Sequence, residues 1–429
     1  MRYYLIGICG ISMSALAHFL KNSGNEVSGS DMNVSGVKSL ERNGVKVFHN
    51  ENAEEVAKAD VVVVSSAIGE DNADLKIAKK LKKKVLSRGE LLGELSKNYE
   101  KVIAVAGSHG KTTTTALIYN ILKCAKVNPS LHLGGVLCEE KTNYVVGDTK
   151  YFVTEACEYH DNFLFLHPYI GVVTNVEEEH LDYFKTFENE LKSFEKFKSN
   201  CKYVIDGSRL YPTHIRYDRK GRLCFNIAFD DSDDFSISHQ RKLKKLISLK
   251  VQILEEVNVY NCILAYHVCA LLGFSDEIIK EGLESFKGVK RRFEKVDCEY
   301  FENVVVDYAH HPTEIENTIK TAKKVFKNKK ILYIFQPHTY SRTKNLLNEF
   351  VEVFKKVDDL IMYKTYPARE KTSDGISALK LAKILDVNYC ANLNSLMKKL
   401  FVDYNDRVLV FIGAGDLPDL LYKNKFLRD

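Results

Sequence analysis

An α/β architecture with mostly parallel sheets, divided among three domains, is what this sequence predicts. Three observations carry the prediction. Strand-like apolar runs alternate with helical patterns along most of the chain, the order that builds parallel sheets. One such run passes through a glycine-punctuated turn straight into a helix, in "VIAVAGSHGKTTTTALI" from Val102 to Ile118. The chain has 429 residues, room for two or three cores rather than one.

Composition narrows the class. Apolar content of 45% with 28% charged residues describes a globular protein. The longest apolar runs, such as Val61 to Val64, are strand-sized, and "MRYYLIGICG" enters a strand with no leader pattern, so a cytoplasmic protein with no membrane partner is expected. A net charge of +5 from 62 basic and 57 acidic residues is too mild for a nucleic-acid surface. The cluster "KKLKKK", Lys79 to Lys84, reads as a solvated face at a helix end. Ten cysteines without a C-x-x-C pair fit buried thiols in a reducing compartment. Cys9 stands apart, because it lies in a glycine-containing turn.

The elements follow in order. "YYLIGI", a helix from Met13 to Asn22, "NEVSGSD", "ADVVVVSSA" and "KKVLS" make a Rossmann-like βαβ series. Its first turn, Gly7-Ile-Cys9-Gly10-Ile-Ser12-Met13, is a degraded dinucleotide fingerprint that still offers a helix N-terminus to an anion, and Asp31 ends the second strand. A new start near Glu100 follows the helical "GELLGELSKNY". The strand into the glycine turn, "YFVTEA" and "IGVVTNV" continue a buried parallel sheet. A polar stretch from about Asp206 to Lys250 reads as a small antiparallel meander, and "NCILAYHVCALLG" is a helix stopped by Gly273. "FENVVVDYA", "KKILYIFQ", "DDLIMYKTY" and "DRVLVFIGAG" supply four strands of a third, again Rossmann-like, unit. The domain boundaries read as 1–98, 99–290 and 291–429.

The turn at Gly107 and Gly110 is a variant of G-x-x-x-x-G-K-[ST], with Val105 at the first glycine position. Its amides and the helix end favour a phosphate, Lys111 offers a mobile charge for the outer phosphates, and the Thr112 hydroxyl suits magnesium. A tight turn carrying a solvated lysine is the competing interpretation. Glu155 and Glu158 of "TEACEYHD" follow one strand end, and "TNVEEEHLDY" brings His180 and Asp182 after another. Glu155 suits magnesium, whereas each of Glu177, Glu178 and Glu179 reads as part of a solvated acidic loop. In "DYAHHPTEI" Pro312 sits at a first helical position behind His310 and His311, a metal pair or a cap. "FQPHTYSRT" sets His338 and Arg342 in a loop, where the arginine forks onto a carboxylate or makes a surface ion pair.

Together "AGSHGKTTTT", "TEACEYHD", "TNVEEEHLDY", "FKGVKRRFE", "VDYAHHPTEI", "FQPHTYSRT", "YPAREK" and "GAGD" resemble the Mur ligase family, in order and over nearly the whole chain. The resemblance implies a UDP-substrate domain, a central P-loop ATPase and a C-terminal amino-acid-binding domain. It implies an ATP-dependent ligase that adds L-alanine to the lactyl carboxylate of UDP-N-acetylmuramate through an acyl phosphate, with Mg2+ as cofactor, acting as a monomer or weak homodimer. By the same likeness Lys111 holds the γ-phosphate, Thr112 and Glu155 a first magnesium, and His180 a second metal. Asn261 faces adenine, Arg292 the transferred phosphate, Tyr308 and His310 the amino acid, and Arg342 its carboxylate. Ser108, His109 and Thr113 join the ATP contacts. Gly7, Gly10, Ser12, Met13, Asp31, Ser65, Ser66, Arg88, Glu158 and His338 join the substrate contacts. The chain departs from the family pattern at Tyr260 and Leu264 near the adenine position, at Cys9 and Ser12 in the first turn, and at Thr339. The N-terminal Rossmann-like unit argues against a folate-linked member of the family, and "TEACEYHD" with "FQPHTYSRT" favours alanine addition over tripeptide addition.

Overall fold

A computed structural model describes residues 1–33, 36–207, 213–218, 222–229, 245–368 and 370–428, with backbone alone at 181–182, 213–214, 228–229 and 245–246. It is α/β throughout, and its residues group into two compact units, one built mainly from 1–214 and 258–287, the other mainly from 288–429.

The first unit is built chiefly on two sheets. In the N-terminal sheet the strands Lys46–Phe48, Glu26–Ser30, Arg2–Ile6, Val61–Val64 and Lys84–Ser87 lie side by side, all parallel. The β-branched run at Val61 suits a strand covered on both faces. In the second sheet Lys101–Ala106 is central, flanked in parallel by Ile170–Val173 and Tyr151–Glu155. Ser130–His132 extends it in parallel, and Tyr144–Val145 closes the edge antiparallel. All three central strands therefore present their carboxyl ends on one side, where a ligand is met in such sheets. Short strands Thr213–Tyr217, Leu223–Phe229 and Lys245–Val251 occupy the polar stretch predicted as a meander, and the last two are neighbours in a sheet.

The two sheets of this unit share one apolar core. Leu5, Leu16 and Leu91 from the first hundred residues belong to the same buried cluster as Phe152, Phe163 and Phe197. The helix Arg88–Ser96 enters it against the segment Tyr159–Phe165. Gly89 permits that approach, since a Cβ there would lie 2.3 Å from Asn162 Oδ1. His18 stacks on Tyr144 with ring centroids 4.1 Å apart and adds a further clasp. Sequence periodicity predicts separate cores here; the continuity comes from contacts between residues far apart in the chain.

The second unit is a seven-stranded sheet in the order Asn388–Cys390, Asp359–Tyr363, Ile331–Phe335, Val408–Ile412, Val304–Asp307, Glu294–Cys298 and Leu427–Arg428. The first five strands run parallel and Glu294–Cys298 pairs antiparallel on both sides. The four strands read from the sequence are its centre. Among the described residues no helix is long and apolar enough to cross a membrane.

One buried carboxylate ties the N-terminal sheet to its helices. Asp74 is fully buried and accepts hydrogen bonds from Tyr4 Oη at 2.7 Å, Ser30 Oγ at 2.8 Å and the Asn52 amide at 2.8 Å. Asp74→Ala would leave these donors buried and unpaired, so stability should fall by about 3 kcal/mol. Chemical denaturation of the purified variant measures it, and an unchanged midpoint would contradict the assignment.

Candidate active site

The glycine turn is shaped by its neighbours as much as by its own sequence. Gly107 has φ +127°, and a Cβ there would lie 2.1 Å from Thr174 Oγ1. Gly110, at φ +84°, would collide with Asn261 Oδ1 at 2.5 Å. Only glycine fits either place. The loop after strand Ile170–Val173 then pins the turn: Asn175 Oδ1 accepts from the His109 amide at 2.9 Å, and the Asn175 carbonyl accepts from the Ser108 amide at 3.0 Å. Ser108 Oγ in turn accepts from the Glu177 amide at 2.8 Å. The sequence predicts that the turn's amides face an anion, whereas those of Ser108 and His109 are spent on Asn175. The amides left able to receive an anion are those of the first turn of helix Lys111–Cys124, which have no carbonyl partner within the helix.

Lys111 is not a solvated lysine. Its ammonium donates to the Gly107 carbonyl, to the Ser108 carbonyl at 3.2 Å and to Glu158 Oε1 at 3.0 Å. Burial alone would lower its pKa, but the Glu158 carboxylate, with Cys157 and Glu179, outweighs that and holds it above the usual lysine range. Glu158 has a side chain only 2% exposed. Burial pushes its carboxyl up, yet Lys111 and His180 prevail and hold it down at about 2. His180 Nε2 lies 3.4 Å from the same Oε1, and Glu158 overcomes the effect of burial to raise the imidazole pKa.

Glu158, Glu179 and His180 bring three ligand atoms within 4.8 Å of one another, the one such group able to hold a cation among the described residues. Glu158 Oε2 is buried with no hydrogen-bond partner, an oxygen placed to bind a cation. Glu179 therefore differs from the solvated loop expected of it, because Glu190 reaches under that loop. Glu190 is fully buried, its Oε2 accepts from the Glu179 amide at 3.2 Å, and burial raises its carboxyl to about 7. Glu178 is exposed as predicted, and Glu177 Oε2 stands 3.4 Å from His109 Nε2. Glu155 sits at its strand end, oriented by the Gly134 amide, which donates to Oε1 at 2.6 Å.

Other predicted contacts are placed variously. Thr112 and Thr113 lie in the first helical turn, nearly buried. Asn261 is 4% exposed, with Oδ1 accepting from Thr114 Oγ1 at 3.2 Å and Nδ2 donating to Asn258 Oδ1 at 2.9 Å; its side chain braces the phosphate loop. In the first turn, Asp31 Oδ2 accepts from the Cys9 amide at 2.9 Å and so shapes the loop that Gly7 and Gly10 allow. The Met13 side chain belongs to the core. Arg88 Nη1 donates to Ser12 Oγ at 3.3 Å. Ser65 Oγ accepts weakly from the Ala67 amide at 3.4 Å, and Ser66 Oγ from Asn162 Nδ2 at the same distance.

The second unit gathers its predicted residues into a cluster of its own. Arg291 and Arg292 lie over the Tyr308 ring, 4.9 and 5.4 Å from its centroid. His310 meets Tyr308 at 5.4 Å and His338 at 6.1 Å between ring centroids. Arg342 Nη1 is 3.2 Å from His338 Nδ1. Burial lowers both imidazoles to about 4, with Arg342 adding to the effect, so both are neutral at pH 7. His311 is a cap, accepting from the Thr313 amide at 3.4 Å ahead of Pro312. Thr339 holds φ +69°, a strained place for a β-branched residue, and caps the helix bearing Arg342. Arg369 and the side chain of Asp182 lie outside the described residues. Sequence reasoning missed Asn175, Glu190 and Arg291; the strand end at Thr174 was the signal for the first, and no local signal marks the others.

Comparison with known proteins places this geometry. Three family models match consecutive stretches: Mur ligase family, catalytic domain, at residues 2–100; Mur ligase middle domain at 105–269; and Mur ligase, glutamate ligase domain, at 291–415. The UDP-N-acetylmuramate--L-alanine ligase of Caldanaerobacter subterraneus subsp. tengcongensis is 39% identical over 463 residues, covering 100% of this chain and 97% of its own. That of Caldicellulosiruptor bescii is 38% identical and covers 98% and 97%. Among solved structures, UDP-N-acetylmuramate-alanine ligase from Thermotoga maritima aligns with a TM-score of 0.83 at 26% identity, over 99% of this chain and 98% of that one. A murein peptide ligase from Psychrobacter arcticus shares the fold at a TM-score of 0.68 and 20% identity, over 99% and 98% of the two chains. With relatives of this identity along its whole length, the chain belongs to the Mur ligase family.

Proposed function

We propose that this protein is an ATP-dependent carboxylate–amine ligase that joins L-alanine to the lactyl carboxylate of UDP-N-acetylmuramate and releases ADP and phosphate, a step in peptidoglycan precursor synthesis. The observation that carries it is the Lys111–Glu158–His180 group, in which the phosphate-loop lysine and the histidine meet one buried carboxylate. The near-full-length relatives named for this reaction support the choice of substrates. The division of labour that goes with it is a UDP-substrate domain at 1–98, an ATP domain at 99–290 and an amino-acid domain at 291–429.

A carboxylate is a poor electrophile, so phosphorylation must first give it a leaving group. The lactyl oxygen attacks the γ-phosphorus, ADP departs, and the alanine nitrogen then attacks the acyl carbon and expels phosphate with loss of the amine proton. Charge spreads over the phosphoryl oxygens in the first step. The helix amides at Lys111 to Thr113 and the Lys111 ammonium lie where they can stabilise it, already ordered and mostly screened from water. Glu158 keeps that ammonium in position until the outer phosphates compete for it. Magnesium, when bound, neutralises phosphate charge; Thr112 and Glu155 are assigned to one ion, and Glu158, Glu179 and His180, with the orphaned Glu158 oxygen, fit a second. In the amino-acid domain Arg342 takes the alanine carboxylate in a fork, beside neutral His310 and His338 and the Tyr308 ring. Arg292 is assigned to the transferred phosphate.

ADP release should require UDP-N-acetylmuramate, magnesium and L-alanine together. A rate equally fast without the sugar nucleotide, or a preference for a tripeptide over alanine, would overturn the assignment. Lys111→Ala should lower kcat about a thousandfold, the effect of removing one preorganised charge worth roughly 4 kcal/mol. Calorimetric binding of the UDP-sugar should survive, and its loss along with activity would refute the division between domains 1–98 and 99–290.

A further inference from the structure

A buried histidine that the proposed chemistry does not use connects the two halves of the first unit. His132, at the end of strand Ser130–His132, is 2% exposed. Its Nε2 lies 2.9 Å from Ser12 Oγ, on the first turn of the N-terminal domain, and its Nδ1 lies 2.9 Å from Thr154 Oγ1. Thr154 is fully buried and donates its single hydroxyl proton to the Glu155 carbonyl at 2.9 Å. Arg88 donates to Ser12 Oγ from the other side at 3.3 Å.

One proton arrangement satisfies all of these contacts at once. In it Thr154 gives its proton to the Glu155 carbonyl and its oxygen accepts from His132, with the imidazole proton on Nδ1. Nε2 is then an acceptor, and Ser12 must donate to it. The Ser12 oxygen accepts from Arg88. Every bond thus points one way, from the guanidinium of Arg88 through Ser12, His132 and Thr154 to the backbone of Glu155. Burial and the Arg88 charge lower the imidazole to about 3, so it stays neutral. Gly134, two residues beyond His132, orients the Glu155 carboxylate from the same segment.

We propose that His132 is a positioning residue whose hydrogen-bond relay couples the sugar-nucleotide loop at Ser12 and Arg88 to the magnesium-nucleotide site at Glu155. This rests on the reading that UDP-N-acetylmuramate binds the N-terminal domain and that Glu155 serves the nucleotide. A ligand that fixes Arg88 orders Ser12, His132 and Thr154 with it, so the second ligand meets a Glu155 strand end already set. The coupling is reciprocal: each ligand tightens the binding of the other by the same factor.

Titration calorimetry with UDP-N-acetylmuramate, in the presence and absence of a non-hydrolysable ATP analogue with magnesium, tests the relay. In the unaltered protein the analogue should tighten sugar-nucleotide binding by at least about fivefold. In His132→Leu that ratio should fall to near one, although each ligand alone still binds. Thr154→Val, which keeps shape and removes one link, should lower the ratio in the same way and serves if His132→Leu does not fold. A merely structural role would lower stability or both affinities and leave the ratio intact. A ratio retained in either folded variant, or near one in the unaltered protein, would overturn the relay. Failure of the unaltered protein to bind the sugar nucleotide under either condition would instead overturn the substrate assignment beneath it.

Discussion

The ion pair between Lys111 and Glu158 is the constraint around which the first unit is arranged. Two opposite charges 3.0 Å apart, with side chains 17% and 2% exposed, are costly to take out of water. They persist because carbonyls of the phosphate loop take the remaining lysine donors and His180 approaches the same carboxylate. Removing either partner would strand the other, so the loop, the strand end at Glu155 and the loop bearing His180 are held to one geometry. That geometry is also reactive. A lysine held by a carboxylate, rather than folded into solvent, can be handed to an incoming phosphate with little reordering.

Much of this was legible in the sequence because it is local. Gly-Lys-Thr at the start of a helix says what the turn binds, and β-branched runs between helical patterns say that the sheets are parallel. The partners that complete the site were not legible, since they come from elsewhere in the chain. Asn175 fixes the His109 amide from 66 residues away; the strand end before it marks a loop at the ligand side of the sheet but not the amide it meets. Glu179 looked like one of three equivalent surface acids; only Glu190, buried on helix Phe187–Ser199, singles it out. Asn261 shows a different kind of gap. Its position on a helical face was clear, and its bond to Asn258 lies within that helix, but its bond to Thr114 depends on how the helix crosses the phosphate-loop helix.

The second unit solves a smaller problem with the same means. The histidine pair suggested either metal or capping, and their partners separate the two neighbours: His311 caps its helix while His310 stays neutral beside Tyr308 and His338. Strain concentrates here too. Thr339 pays for its left-handed backbone by fixing the start of the helix that carries Arg342, four residues from the imidazole it touches.

The central claim is that the phosphate loop serves to activate a carboxylate. Its most direct test supplies UDP-N-acetylmuramate labelled with heavy oxygen in both positions of the lactyl carboxylate, and reads the inorganic phosphate by mass spectrometry after one turnover with ATP and L-alanine. Passage through an acyl phosphate predicts that each phosphate released carries one labelled oxygen while the amide retains the other. Unlabelled phosphate, formed at the same rate as the amide, would contradict the account.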